Sequence, residues 1–136
     1  MVKVIQDVWI LKEDGRVMFH RPFNKKMDPK LFGGFISALN MFAKQMDKSG
    51  LNNFVLGDKN YTILKNNNLI FIGDHDKKHG KKAAKEIKEI VNKFYDTFDF
   101  TEIAAWDGDP NYFNKFKDVI NDSLEDPVEM LKDSLW

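Results

Sequence analysis

The run from Val2 to Leu11 carries apolar side chains on both alternating positions: Val4, Val8 and Ile10 on one, Ile5, Trp9 and Leu11 on the other. Successive side chains of a strand point to opposite faces, so such a strand needs apolar cover on both. That places it at the centre of a sheet. Leu69-Ile70-Phe71-Ile72 is apolar throughout and makes the same demand.

The rest of the chain supplies neighbours and cover. Glu13-Asp14-Gly15 is a turn signal, and the Asp-Gly pair suits a tight hairpin because both turn positions tolerate positive φ. Val17 to Phe23 reads as a second strand, ended near Pro22 and placed toward an edge, since proline donates nothing to a ladder. Asp28-Pro29 opens a helix, N-cap followed by N1 proline, that runs to about Asp47 with Gly50 as its stop. Gly33-Gly34 inside it costs about 1 kcal/mol per glycine relative to alanine, which implies close packing against a neighbour. Three short strands follow near Asn53–Leu56, Tyr61–Lys65 and Leu69–Gly73, divided by links too short for parallel crossovers. Gly80 to Phe98 has Ala83, Ala84, Ile87, Ile90, Val91, Phe94 and Phe98 at helical spacing. A third helix is expected after Asp109-Pro110, burying Phe113, Phe116, Val119, Ile120 and Leu124. The order β-β-α-β-β-β-α-α predicts an α+β fold: one five-stranded antiparallel sheet, the first helix on one face and the later helices on the other. Residues 1–126 form the expected domain, and 127–136 an amphipathic tail.

Composition narrows the function. Twenty-one basic residues balance twenty-one acidic ones, so no global field holds a polyanion, and nucleic acid is not an expected partner. The sequence has no cysteine, which removes disulfides, thiolate metal sites and thiol nucleophiles. No apolar stretch approaches the ~18 residues of a membrane span, and the first residues lack the pattern of a signal peptide. The expectation is a soluble, cytoplasmic chain whose contact with a membrane, if any, is peripheral.

Three segments are similar to one family. "VKVIQDVWILKEDGRVMFHRPF" resembles the opening hairpin of longin domains, which have a profilin-like fold. "DPKLFGGFISALNMFAKQM" resembles their first helix, and "NNFVLGDKNYTILKNNNLIFIGDHD" their three-strand meander. The likeness covers roughly Val2 to Leu124 and is closest to stand-alone longin-like proteins of the trafficking or GTPase-associated kind, archaeal ones included. It implies a non-catalytic scaffold. Longin-like domains pair with one another, bind small GTPases, sit in adaptor or tethering complexes, or hold a peptide beside the first helix.

Candidate sites follow from both readings. No phosphate loop, nucleophile elbow or HExxH is present, so no catalytic residue, cofactor or metal is expected. Asp74, His75, Asp76 and His79 could be read as metal ligands, but a solvated loop capping the next helix is the favoured reading. Lys77, Lys78, Lys81, Lys82 and Lys85 make the strongest local charge feature, an anion- or membrane-binding candidate beside a helix start. The first helix has a wider apolar surface than one sheet-facing stripe requires. Phe32, Phe35, Leu39 and Phe42, with Phe54 and Leu56 on the adjoining strand, are the expected partner-binding residues. The expected partner is a small GTPase or a longin- or roadblock-like protein, a homodimer included. The alternative is a binder of anionic membrane surface through the lysine run. The tail, with Val128, Met130, Leu131, Leu135 and Trp136, is expected to dock on the domain itself.

Overall fold

The computed structural model describes residues 3–21 and 28–124. The strands are β1 (Val8–Lys12), β2 (Val17–Arg21), β3 (Asn53–Leu56), β4 (Lys59–Asn66) and β5 (Leu69–His75), in the spatial order β2-β1-β5-β4-β3. Every neighbouring pair is antiparallel. β1 and β5, the two strands apolar on both faces, lie side by side in the interior of the sheet, and β2 lies at its edge.

Two apolar layers cover that sheet. On one face α1 (Pro29–Met46) lays Phe32 and Ile36 over Trp9, Leu11, Ile70 and Ile72. On the other, α2 (Gly80–Thr97) buries Ile87, Ile90, Val91 and Phe94 against Val8, Ile10 and Phe71. The short helices α3 (Phe100–Ala104) and α4 (Phe116–Val119) complete this second layer. Phe94 is its hub, with ring centroids 5.1–5.6 Å from those of Phe98, Phe116, Phe71 and Phe113.

The chain's turns choose residues that tolerate their geometry. Between β1 and β2 the Lys12 carbonyl accepts the Gly15 N–H and the Lys12 N–H donates to Arg16. Only Gly15 has positive φ (95°), so the hairpin uses a longer, bulged loop than the Asp-Gly pair suggested. The tight two-residue turn lies instead between β4 and β5, where Asn67 and Asn68 take φ of 50° and 65°. Asparagine is the non-glycine residue best suited to that region.

Three expectations need correction. β1 begins at Val8, not Val2, because the Glu86 carboxylate accepts the Val4 and Ile5 amides at 3.0 and 3.3 Å and draws the lead-in toward α2. Ile5 therefore joins Val4 in the α2-side core instead of facing α1. The long third helix after Asp109 is replaced by turns and α4. Asn111 and Asn114 bond to each other through their side chains, and the backbone closes i to i+3 turns at Asn114, Phe116 and Lys117. Asparagine side chains compete in this way with helical bonding. Phe113, Phe116, Ile120 and Leu124 are still buried, whereas Val119 faces solvent. α3 was not anticipated, although Asp99 and Glu102 form a capping box, which is a sequence-level signal. Pro22, Phe23 and the expected tail lie outside the described residues.

Candidate docking face

α1 has two apolar sides. Its sheet-facing side buries Phe32, Gly33, Ile36, Ser37 and Asn40. Ser37 donates to the Glu13 carbonyl at 2.9 Å, and Asn40 accepts the Leu51 amide at 3.2 Å. Both polar groups are thus satisfied, and they fix the helix against the first hairpin and the approach to β3. Asp28 caps the start through the Lys30 amide, and the Asp47 N–H closes the last turn on the Ala43 carbonyl.

The second side points to solvent. Leu31, Phe35, Ala38, Phe42 and Met46 recur every three or four residues, which aligns them in one stripe along the helix. Leu31 is 74% exposed, Phe35 42%, Phe42 66% and Met46 80%. The stripe is continuous with edge strand β3: the Phe35 ring meets Phe54 edge-on at 6.2 Å, and Phe54 stacks on Tyr61 at 4.5 Å. Strand alternation puts Leu56 on the same side as Phe54, and Leu56 is exposed.

The residues expected to meet a partner therefore separate. Phe35, Phe42 and Leu56 are exposed, and Leu39 and Phe54 are half-buried. Phe32 does not belong with them. It is 4% exposed, with its ring 4.0 Å from Trp9, because its position on the helix turns it into the sheet. Leu31 and Met46, one turn before Phe35 and one turn after Phe42, take its place.

The lysine run lies across the sheet from this stripe. Lys77 and Lys78 sit in the 3-10 turn before α2, and Lys81 and Lys85 are exposed on its first turns, with Lys82 half-buried. The two candidates do not form one site. Asp76 caps the 3-10 turn through the Lys78 amide and pairs with His79 Nδ1 at 2.6 Å. Asp74 and His75, expected in a solvated loop, are instead buried at the end of β5. The strand runs two residues further than its apolar pattern suggested, since β4 pairs with it as far as Asn60–His75. Thr62 Oγ1 lies 2.7 Å from His75 Nε2, and His75 Nδ1 lies 2.7 Å from the Asp76 carbonyl. Among the described residues, no three His, Asp or Glu side chains converge as a metal would require.

A buried polar cluster went unrecognised in the sequence. Asp74 Oδ1 accepts the Asp7 N–H at 2.6 Å, and Lys59 Nζ stands 3.4 Å from Asp74 Oδ2, 3.9 Å from Asp7 Oδ2 and 2.8 Å from Gln6 Oε1. Burial pushes the Asp74 carboxyl up to about 7, reinforced by the Asp7 side chain, and Lys59 only partly offsets this. Asp7 was the available signal: the one acidic residue inside an apolar strand-like run.

No protein-family model matches the sequence, and no curated protein is similar to it. Solved structures are. MglB of Myxococcus xanthus shares 10% identity at a TM-score of 0.50, over 69% of this chain and 85% of that one. A Roadblock/LC7 domain from Streptomyces avermitilis shares 11% identity at a TM-score of 0.49, over 68% of this chain and 88% of that one. The chain has an α+β fold similar to that of MglB, and at such an identity the likeness speaks of fold alone. Among the described residues no helix is long and apolar enough to cross a membrane.

Proposed function

We propose that this chain is a non-catalytic docking module that holds a small GTPase, or another longin- or roadblock-like chain, against α1 and β3. It would serve a GTPase-regulating or membrane-trafficking complex. The observation that carries this reading is the exposed stripe of Leu31, Phe35, Phe42 and Met46, on the side of α1 away from its own core. An exposed, aligned run of large apolar side chains is the usual mark of an interface. Edge strand β3 adds Leu56 and, among the described residues, a backbone edge with no strand beyond it. The choice of a GTPase or a like-folded partner comes from the longin resemblance.

Phe35 and Phe42 are the aromatic anchors of such a face, and aromatic anchors supply a large share of binding energy. Phe35→Ser with Phe42→Ser is expected to weaken partner capture by roughly 100-fold. The fold should be kept, because neither ring belongs to either buried cluster. Light scattering of the wild type and the double variant, alone and with GDP- or GTP-loaded small GTPases, reads both effects. Unchanged capture by the double variant would sink the proposal. Capture that fades with added salt while ignoring these substitutions would shift the assignment to the lysine run.

A further inference from the structure

The lysines around the start of α2 take no part in the α1 face, and the fold parts them from the acidic residues beside them in sequence. Lys77, Lys78, Lys81, Lys85 and Lys88 are all exposed. Lys81, Lys85 and Lys88, four and three residues apart, form one row about 10 Å long on the outer side of α2. Lys77 and Lys78 stand in the 3-10 turn just before it. Between residues 74 and 88 the acidic side chains are Asp74, Asp76 and Glu86. Asp74 is buried beside Lys59, and Glu86 is buried with Oε1 on the Val4 and Ile5 amides. Asp76 is exposed at the edge of the row, its Oδ1 taken by the Lys78 amide and His79 Nδ1. Further along α2, Glu89 pairs with Lys3, and Asp96 lies about two turns past Lys88. Among the described residues, none of the five lysines is in an ion pair.

This placement works against the helix that carries it. Like charges three and four residues apart repel, and the positive end of the dipole disfavours cations. The first turn of α2 has no acidic residue to offset either effect. An anion brought from outside relieves both. The row also tells what kind of anion. The exposed large hydrophobic residues stop at Leu56 and resume at Phe100, so none stands among these lysines. The row therefore lacks the buried anchors of a protein interface and the aromatic platform on which unpaired bases stack. A bilayer with anionic headgroups asks only for charge near its surface, worth about fivefold in affinity per lysine.

We propose that Lys77, Lys78, Lys81, Lys85 and Lys88 seat the chain on an anionic membrane surface. α1 and α2 cover opposite faces of the sheet, so a chain seated in this way keeps its α1 stripe open to a partner.

Sedimentation with vesicles tests the seat on the full chain. Vesicles of phosphatidylcholine and phosphatidylglycerol, mixed about two to one, are expected to bind the protein, and vesicles of phosphatidylcholine alone to leave it in solution. Lys81→Gln, Lys85→Gln and Lys88→Gln together should weaken binding by roughly 100-fold. Raising the salt from about 0.1 M to about 0.5 M should release the wild type. Glutamine matches lysine in helix propensity and these side chains meet solvent, so the fold is kept, as an unchanged circular dichroism spectrum would show. Phe35→Ser with Phe42→Ser should bind vesicles as the wild type does. Equal binding to both kinds of vesicle, binding that survives the glutamine substitutions, or binding lost with Phe35 and Phe42 each overturns the proposal. So does failure to bind anionic vesicles, and capture of soluble polyglutamate in their place would assign the row to an acidic polypeptide.

Discussion

Gly33→Ala is expected to destabilise the protein by roughly 2–4 kcal/mol, while Gly34→Ala, one residue on, stabilises it by about 1 kcal/mol. The two glycines are equivalent in the sequence and opposite in the structure. A Cβ on Gly33 would lie 2.2 Å from the Gly15 carbonyl oxygen and 3.0 Å from Val17 Cγ2, whereas one on Gly34 meets nothing within 4 Å. The turn that carries Gly15 cannot simply retreat. It is closed by the Gly15 and Lys12 amides and tied to α1 by the Ser37 hydroxyl on the Glu13 carbonyl. To accept a methyl group at 33, α1 must lift from the sheet and loosen Phe32 and Ile36 from Trp9 and Leu11. The gain in helix propensity is too small to offset that loss of packing. Urea melts of the two variants beside the wild type decide the point. Midpoints that move in the same direction would show that α1 is not seated on the hairpin as described.

That pair also shows what the sequence could and could not convey. A glycine pair within a helix announces a close approach, but not which glycine makes it, because the answer depends on how α1 is rotated over the sheet. The same rotation decides Phe32 against Phe35. Both are phenylalanines on one helix, and only the position of Trp9 separates the core ring from the exposed one. The two central strands and the two-sided cover were legible because Val8–Leu11 and Leu69–Ile72 carry apolar residues on both parities. The C-terminal layer was less so, since Asn111 and Asn114 divert a helical pattern into turns while leaving its buried residues in place. The polar cluster was hidden for a different reason. Gln6, Asp7, Lys59 and Asp74 come from three separate stretches, and only the antiparallel registers of β4 and of the β1 lead-in on β5 bring them together.

Within that cluster, Asp74→Asn is expected to make the protein more stable at pH 8, by roughly 2–4 kcal/mol, the reverse of the usual result for altering a buried, bonded polar group. Burial raises the Asp74 carboxyl from 3.8 to about 7, so between these values the folded chain holds a proton that the unfolded chain has lost. Stability therefore falls as pH climbs from about 4 to about 7. His20 works in the opposite sense. Burial in the stack on Trp9, only partly offset by Asp7, lowers its imidazole from 6.5 to about 4. Over that window the unfolded chain holds the extra proton, and stability rises with pH. The two slopes oppose each other from about 4 to 6.5, so the wild type should have a nearly flat profile there and decline only toward 7. Asparagine keeps an oxygen for the Asp7 amide and offers an N–H to the neighbouring carboxylate, while Lys59 retains Asp7 and Gln6. Without the Asp74 slope, the variant should gain stability steadily up to about pH 6.5 and then hold it. Denaturation midpoints at half-unit steps from pH 4.5 to 8.5 would trace both curves. Parallel profiles, with the variant the less stable at pH 8, would show that the buried carboxyl is ionised and held by Lys59, and that its cost in the folded state is small.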